Sequence, residues 1–132
     1  MSEENVEIVL ENLRLAEADD IEGVAALMHP EVTSTAVSGW PEQGPFVGRD
    51  ALLAEIKRLL DWGENRFTEI DVVADEGDWV VVAFQWHVRG KGSGLATHFD
   101  VVAAVRLKER RINEWHSRWR RDEALEAAGL SE

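Results

Sequence analysis

Residues 79–107 read WVVVAFQWHVRGKGSGLATHFDVVAAVRL, two strand-forming runs joined by a glycine-rich loop at residues 90–94. In each run every second residue is apolar, with Thr97 the only exception, which is typical of strands that bury one face. In a hairpin, the apolar positions of the two runs share that face. The predicted inner positions are Val80, Val82, Phe84, Trp86, Val88, Leu95, Phe99, Val101, Ala103, Val105 and Leu107.

The segments around this hairpin predict helices early in the chain and strands late. Apolar residues recur at helical spacing from residue 2 to about residue 18, in residues 21–28 after a cap at Asp19 or Asp20, and after a cap at Asp50. Strands are predicted at residues 31–38, 67–74, 79–89, 95–107 and 112–119, and a last helix at 122–128. This order predicts one α+β domain over residues 1–132, with helices covering one face of a curved antiparallel sheet.

The composition argues against several classes of partner. The chain has 26 Asp and Glu against 14 Lys and Arg, a formal net charge of -12. Such a surface repels polyanions, so we expect neither nucleic acid nor a membrane surface as partner. The acidic N-terminus is unlike a secretory signal and no apolar run is long enough to span a bilayer, which predicts a cytoplasmic protein. Without cysteine there are no disulfides or thiolate metal sites.

The last predicted strand, within RINEWHSRWRRD at residues 111–122, has one polar and one aromatic side. A tight reversal at residues 108–111 would place Leu107 opposite Ile112 and turn the polar side inward. Charged groups on that face need partners, water or a ligand, so this preferred register predicts a pocket. A bulge at residues 109–111 is the alternative, and it would turn Trp115 and Trp119 inward. The polar side consists of Glu114, His116, Arg118 and Arg120.

The preferred register also leaves an apolar patch on the outer face of the sheet. A monomer rarely exposes a patch of this kind, so the pattern predicts a homodimer through that face. Its members are Trp79, Val81, Ala83, Val102, Ala104, Trp115 and Trp119.

Four segments resemble the SnoaL-like polyketide cyclases of the nuclear-transport-factor-2-like superfamily. They are GWPEQGPFVGRDALL at residues 39–53, DEGDWVVVAF at 75–84, RGKGSG at 89–94 and DEALEAAGLSE at 122–132. The resemblance implies a cone-shaped, cystatin-like roll in which a bent antiparallel sheet wraps around helices and a deep pocket lies on its concave face. It implies no single activity, because the fold hosts cyclases, isomerases, epoxide hydrolases, dehydratases and proteins without catalysis.

The resemblance also implies a catalytic aspartate near the end of the last strand. This chain has Arg120 there, and the nearest acid, Asp122, fits the cap of the following helix better. We therefore predict His116, oriented by Glu114, as the acid/base residue, with Arg118 and Arg120 stabilising negative charge. An exposed histidine and internal salt bridges are the alternatives.

Aromatic and aliphatic side chains are predicted to contact the substrate, with the loop at residues 39–48 over the pocket mouth; core packing is the alternative. The predicted contacts are Trp40, Phe46, Trp62, Phe84, Trp86, Phe99 and Val101. A metal site at His87, His98 and Asp100 is less favoured than a solvated outer face, so neither metal nor cofactor is predicted.

Together these features predict binding of a small, largely apolar organic molecule, with proton-transfer chemistry such as cyclisation, isomerisation or hydration as the expected reaction class. A non-catalytic ligand-binding or dimerisation module is the alternative function.

Overall fold

The arrangement of helices and strands is that of an α+β fold in the computed structural model, which describes residues 2–130. Six strands form a single curved sheet in the order β2-β1-β6-β5-β4-β3. The predicted fold class is confirmed. The elements are α1 Ser2–Glu17, α2 Ile21–Ala26, β1 Met28–Thr35, β2 Phe46–Val47, α3 Arg49–Leu60, β3 Gly63–Glu76, β4 Trp79–Gly90, β5 Ala96–Lys108, β6 Arg111–Arg118 and α4 Arg121–Ala127.

The β4–β5 hairpin has the predicted register. Val80 pairs with Val105, Val82 with Ala103, Phe84 with Val101 and Trp86 with Phe99. The first three pairs are buried and belong to the main core, and Trp86 and Phe99 pack against it. Alternation of apolar residues was therefore sufficient to identify the inner face of the two central strands.

The helices α1, α2 and α3 pack against that inner face. Val9 and Leu13 of α1, Val24 of α2 and Leu52 of α3 lie in the main core. Asp20 caps α2 as predicted, since its Oδ1 accepts a hydrogen bond from Gly23 N at 2.9 Å. Among the helices of the described chain, none is long and apolar enough to cross a membrane.

Two predicted caps are each wrong by two residues. Gly48 is the N-cap of α3, and Asp50 lies in the first turn. Arg120 is the N-cap of α4, and Asp122 likewise lies in the first turn. An acid in the first turn interacts favourably with the helix dipole, so its presence near a helix start does not identify the cap position.

Strand β1 begins earlier than predicted and pairs in an unexpected direction. Met28, predicted to end the second helix, is the first residue of β1, and β1 runs parallel to β6. Ser34 is aligned with Trp115 and Thr35 with His116. The sheet is therefore not purely antiparallel. Pairing between segments so distant in sequence leaves no signal in the local pattern of β1.

The turn between β5 and β6 is the predicted tight reversal. Lys108 pairs with Arg111 and Leu107 with Ile112, and the two central residues, Glu109 and Arg110, have positive φ angles of 52° and 63°. Positive φ at both central positions is typical of the hairpin turn that matches the twist of the flanking strands.

A bulge at Asn113 then reverses the faces of β6. Arg106 pairs with Glu114, Val105 with Trp115 and Ala104 with His116, so Asn113 has no partner in β5. The preferred register is therefore wrong beyond Ile112, and the alternative placed the bulge in the turn instead of the strand. The bulge directs the Trp115 side chain to the core and the ionisable side chains away from it, which avoids the cost of burying charge.

Helix α4 covers much of the outer apolar patch. Val81, Val102 and Ala104 are buried in a second cluster beneath Ala124 and Leu125. Trp79 and Ala83 pack at the edge of this cluster, whereas Trp115 packs against the main core. The chain thus buries within itself much of the surface from which a homodimer was predicted, although Trp119 is exposed, and the homodimer stays a prediction.

Candidate functional site

A cavity of about 190 Å³ lies between the helices and the concave face of the sheet. Helix α1 contributes Leu13 and Ala16 to its wall, and α3 contributes Leu52, Ile56 and Leu59. Six of the seven predicted contact residues line it, namely Trp40, Phe46, Phe84, Trp86, Phe99 and Val101. Trp115 and Trp119 line it too, as expected from the bulged alternative for the last strand.

An aromatic cluster forms one side of the cavity around Trp40. The Trp40 ring lies 5.6 Å from Phe99, 5.9 Å from Trp86 and 5.8 Å from Trp62, measured between ring centroids. Trp62, the seventh predicted contact residue, packs on the outer side of Trp40 and is 41% exposed. Trp62 was predicted from its aromatic residue type, which does not determine the direction of the side chain.

Trp119 ties the loop after β1 to the last strand. Its Nε1 donates to the carbonyl of Ser38 at 2.9 Å, and its ring lies 6.4 Å from Phe99. Trp86 is similarly fixed, because its Nε1 donates to Asn65 Oδ1 at 2.8 Å. These hydrogen bonds hold two indole rings in place at the wall and use the donor of each.

Glu55 is an ionisable residue at the cavity wall. Its side chain is 8% exposed, and its two carboxylate oxygens accept hydrogen bonds from Arg58 at 2.9 and 2.7 Å. The same hydrogen bond raises the pKa of Arg58 above its ordinary value. Arg58 also lies over the ring of Trp62, 5.7 Å from its centroid. Glu55 is therefore a paired carboxylate at the edge of an apolar cavity.

Asn12 is a second polar residue at the wall, and its amide is unpaired. The residue is 7% exposed, and Nδ2 has no hydrogen-bond partner within residues 2–130. Helix α1 places Asn12 on the same face as Val9, Leu13 and Ala16, which pack in or against the main core. Asn12 thus belongs to the wall of a mainly apolar cavity, but its Nδ2 is buried and not accessible from the cavity.

The sequence contained a signal for these two residues that was overlooked. Asn12 follows Val9 by three positions and precedes Ala16 by four, while Glu55 has the same relation to Leu52 and Leu59. Residues with this spacing share one helix face. A polar residue within an apolar helix face is unusual, and it indicates either an internal partner or a site.

The predicted catalytic residues lie outside the cavity, three of them on the opposite face of the sheet. His116 Nε2 is 2.9 Å from Glu114 Oε1, and its Nδ1 is 2.8 Å from Thr35 Oγ1. Arg118 donates to the same hydroxyl at 2.9 Å. Arg106 donates to Glu114 at 3.2 Å. Three of the four predicted residues are thus together, as partners in an internal network; their inward orientation was wrong because of the bulge at Asn113.

This network shifts the pKa of Glu114. Partial burial opposes ionisation of the carboxyl, but hydrogen bonds from His116 and Arg106 outweigh it, and the pKa lies below its ordinary value. Because the carboxylate can only accept, His116 Nε2 donates to it. Glu114, His116 and Arg106 therefore form a polar cluster that stabilises the fold.

Arg120, the fourth predicted catalytic residue, is exposed. It donates to both carboxylate oxygens of Asp122 at 3.0 and 3.1 Å, and the pair lies at the start of α4. The hydrogen bond from Arg120 holds the pKa of Asp122 below its ordinary value. Strand β6 ends at Arg118, so Arg120 does not reach the position opposite Phe99 that the preferred register assigned to it.

The histidines of the central hairpin also lie on the outer face. The rings of His87 and His98 stack with centroids 5.4 Å apart, and His87 Nε2 is 2.8 Å from Thr68 Oγ1. Asp100 is exposed on the same strand as His98. Within the part of the chain that the structure describes, no group of three or more His, Cys, Asp or Glu is placed to hold a metal ion.

Comparisons with known proteins agree with this architecture. Residues 9–115 match the family model of the SnoaL-like domain. No curated protein matched the chain. Three solved structures are similar to this chain over most of both lengths. Their sequence identities are low, so the similarity shows a common fold and nothing more.

The first is a predicted polyketide cyclase from Xanthomonas campestris, with 17% identity, a TM-score of 0.77, and coverage of 92% of this chain and 94% of the other. The second is a nuclear-transport-factor-2-like protein from Burkholderia xenovorans, with 23% identity, a TM-score of 0.74 and 97% coverage of both chains. The third is a Mycobacterium tuberculosis protein in complex with estradiol-17β-hemisuccinate, with 18% identity, a TM-score of 0.77, and coverage of 90% and 95%. Because the family model covers most of its length, the chain belongs to the SnoaL-like domain family.

Proposed function

We propose that the protein binds a small, largely apolar organic molecule in the cavity between the helices and the sheet. The observation that carries this proposal is the volume of about 190 Å³ enclosed mainly by aromatic and aliphatic side chains. Close packing is the rule in protein interiors, so a space of this size at a concave face is a favourable place for a ligand. Apolar cavities of about 150 Å³ take benzene, so we expect a ligand core of about one or two rings.

The similarity to a ligand-bound structure supports the proposal. The M. tuberculosis protein of the same fold was solved with estradiol-17β-hemisuccinate, a largely apolar molecule with a polar extension. The aromatic cluster around Trp40 offers further apolar surface at the side of the cavity.

Filling the cavity tests the proposal. Ala16 lines the cavity on α1, whereas Ala54 is exposed on α3, so Ala16→Phe and Ala54→Phe add the same group at a lining and a non-lining site. Binding of naphthalene and tetralin is followed through the indole N–H resonances of Trp86 and Trp119, which line the cavity. We expect saturable binding by the wild type and by Ala54→Phe, and at least a tenfold weaker affinity in Ala16→Phe.

Equal affinities in the two variants would place the binding site elsewhere. A wild-type protein that shifts no indole resonance with either compound would contradict the proposal.

A second candidate function is proton transfer on the bound molecule, and the observation that favours it is Glu55 at the cavity wall. A carboxylate beside an apolar site can act as a general base toward a proton next to a carbonyl group. Arg58 donates to both carboxylate oxygens and thereby fixes the orientation of the Glu55 side chain. His116, the residue predicted for this role, lies on the other face of the sheet.

Exchange of the α-protons of 2-tetralone in D₂O, followed by NMR, tests this second candidate. We expect the wild type to accelerate exchange and Glu55→Gln to abolish the acceleration while binding is kept. His116→Gln serves as the control, because its side chain does not line the cavity, and it should exchange at the wild-type rate. Exchange at the buffer rate with the wild type would favour the non-catalytic alternative.

A further inference from the structure

Ser117 is a wall residue of the cavity whose hydroxyl has no partner in the protein. It lies on β6, two residues after Trp115 and two before Trp119, and all three side chains line the cavity. The backbone carbonyl of Ser117 accepts a hydrogen bond from Arg118 at 2.8 Å, but the Ser117 hydroxyl makes no hydrogen bond within residues 2–130. The inner face of β6 therefore has a free hydroxyl between two indole rings.

The Ser117 hydroxyl is accessible from the cavity. Ser117 is half-buried, and the unpaired side-chain polar atoms of residues 2–130 that are closed off from water are Asn12 Nδ2 and Asp75 Oδ1. The unpaired Ser117 Oγ is not one of them, so water can reach it. Because β6 lies between β1 and β5, strands flank Ser117 on both sides, and its side chain extends toward the helices, where the cavity lies.

Several other polar groups of the wall are already engaged. The hydroxyl of Ser34 donates to a backbone carbonyl at 2.7 Å, and that of Thr35 belongs to the network on the outer face. Both oxygens of Glu55 accept from an arginine, and the indole nitrogens of Trp86 and Trp119 donate within the protein. Each of these groups would lose a partner on binding a ligand, whereas Ser117 would not.

Two indole N–H groups are the remaining free donors among the side chains described so far. Trp40 is held by ring contacts and Trp115 by packing against the core, and neither indole N–H has an acceptor within residues 2–130. An indole nitrogen only donates, in a direction fixed by its ring, whereas a serine hydroxyl rotates and can both donate and accept. Ser117 can therefore meet a ligand oxygen over a wider range of ligand positions.

The charges of the wall limit the type of ligand oxygen. Among the described residues, those that line the cavity include Glu55 but no lysine, arginine or histidine. A carboxylate or phosphate group would enter without a cation to pair with it, and burial of an unpaired charge is costly. A neutral carbonyl or hydroxyl oxygen would bind to Ser117 without this cost.

We infer that Ser117 is a specificity residue of the cavity, forming a hydrogen bond through Oγ with a neutral oxygen on an otherwise apolar ligand. The ring of its neighbour Trp119 lies 6.4 Å from Phe99, so Ser117 is next to the aromatic side of the cavity. This inference rests on the proposed binding function and narrows its ligand to apolar ketones, alcohols and similar compounds. It holds with or without catalysis by Glu55.

Ligands that differ by one oxygen separate this inference from the proposed function. Tetralin, 1-tetralone and 2-tetralone share a two-ring skeleton, and the two ketones have the carbonyl group at different positions. Their dissociation constants are measured through the indole N–H resonances of Trp86 and Trp119. In Ser117→Ala we expect at least one ketone to bind about threefold to tenfold more weakly, the effect of one net hydrogen bond, with tetralin affinity kept within about twofold.

Ser34→Ala is the matched control, because it removes from the same wall a hydroxyl that is bonded inside the protein. We expect this variant to keep the wild-type ratio of ketone to tetralin affinity. In urea denaturation, Ser34→Ala should lose more stability than Ser117→Ala, since only Ser34→Ala breaks an internal hydrogen bond.

A charged ligand tests the preference for a neutral oxygen. The probe is 2-naphthoate at neutral pH, measured through the same resonances. We expect it to bind to the wild type at least about tenfold more weakly than the ketones, because its carboxylate has no cation at the wall to pair with.

The possible outcomes lead to different conclusions. If neither ketone loses more affinity than tetralin in Ser117→Ala, or if Ser34→Ala lowers the ratio as much, the inference about Ser117 is wrong while the proposed function stands. Binding of 2-naphthoate as tight as that of the ketones would contradict the preference for a neutral oxygen. If the wild type binds neither tetralin nor the ketones, the proposed function fails, and the inference fails with it.

Discussion

On the outer face of the sheet, polar side chains form a continuous chain of hydrogen bonds, whereas on the inner side a buried amide has no partner. Arg106, Glu114, His116, Thr35 and Arg118 are connected in that order by contacts of 2.8 to 3.2 Å. Asn12 is more deeply buried than any of these five residues, and its Nδ2 has no hydrogen-bond partner in the described chain.

This difference bears on how a site is recognised. Ionisable residues with alternating spacing attract attention in a sequence, but here they satisfy one another and lie away from the cavity. A polar group left unpaired beside the cavity lowers stability, so it marks the face on which the requirements of folding are less well satisfied. Variants that reverse the faces of β6, or that remove single polar groups from either face, test this difference between the outer and the inner face.

The largest effect is expected from deleting Asn113, the bulged residue. Without it, pairing continues from Ile112 and the rest of β6 reverses its faces, which drives Glu114, His116 and Arg118 into the core and Trp115 out of it. Burial of several charges should cost more than about 4 kcal/mol of unfolding free energy and abolish cooperative unfolding in urea.

The matched control is deletion of Ser93, an exposed residue in the β4–β5 loop. Loops absorb length changes more readily than strands, so we expect a loss of about 1 kcal/mol or less. Comparable losses from the two deletions would mean that the bulge does not determine which side of β6 faces the core.

Removing a single polar group is expected to change the unfolding free energy by an intermediate amount, with a decrease on the outer face and an increase on the inner face. Thr35→Val removes the hydroxyl that contacts His116 and Arg118, and should lower the unfolding free energy by about 1–2 kcal/mol. Asn12→Leu removes an unpaired buried amide and should raise the unfolding free energy by about 1–2 kcal/mol.

Urea denaturation at neutral pH measures both changes. If Asn12→Leu destabilises the protein as much as Thr35→Val does, the amide has a structural partner after all, and the contrast between the two faces disappears.

The smallest effect concerns the pH dependence of the outer network. The folded pKa of Glu114 lies below its ordinary value of 4.5, so its contribution to stability is present above that value and is lost as pH falls through the folded pKa. Glu114→Gln should therefore be less stable than the wild type by about 1 kcal/mol or less near pH 7, with the difference vanishing in acid.

Thermal unfolding between pH 3 and pH 7 measures this difference as a function of pH. Thr97→Ala, at a non-ionisable residue exposed on β5, is the control and should show a pH-independent offset. A Glu114→Gln curve parallel to that of the wild type would show that the carboxylate contributes nothing through its ionisation.

The inner face of the central hairpin was predictable because Val80, Val82 and Phe84 belong to an uninterrupted series of apolar residues at every second position and pair with apolar residues of β5. The side of β6 that faces the core was not predictable. One extra residue at Asn113 exchanges the two sides of the strand, and no local preference marks the position of this bulge. Parallel pairing of β1 with β6 was equally hidden, since it depends on residues far apart in the chain.

The aromatic wall of the cavity followed from residue type, and six of the seven predicted side chains line it. The direction of the Trp62 side chain was harder to predict, because Trp62 lies between the end of α3 and the start of β3. Asn12 and Glu55 could have been found as polar interruptions of apolar helix faces. Whether such a residue is paired, as Glu55 is, or unpaired, as Asn12 is, depends on three-dimensional contacts.

The parallel contact between β1 and β6 has a consequence for the order of folding. Ser34 and Trp115, which meet at the cavity wall, are 81 residues apart in sequence. During synthesis, β1 therefore has no neighbour on this side until almost the whole chain has been made, and long-range pairing of this kind slows folding. The β4–β5 hairpin can form first from local contacts, while the cavity is completed only when the last strand inserts between β1 and β5.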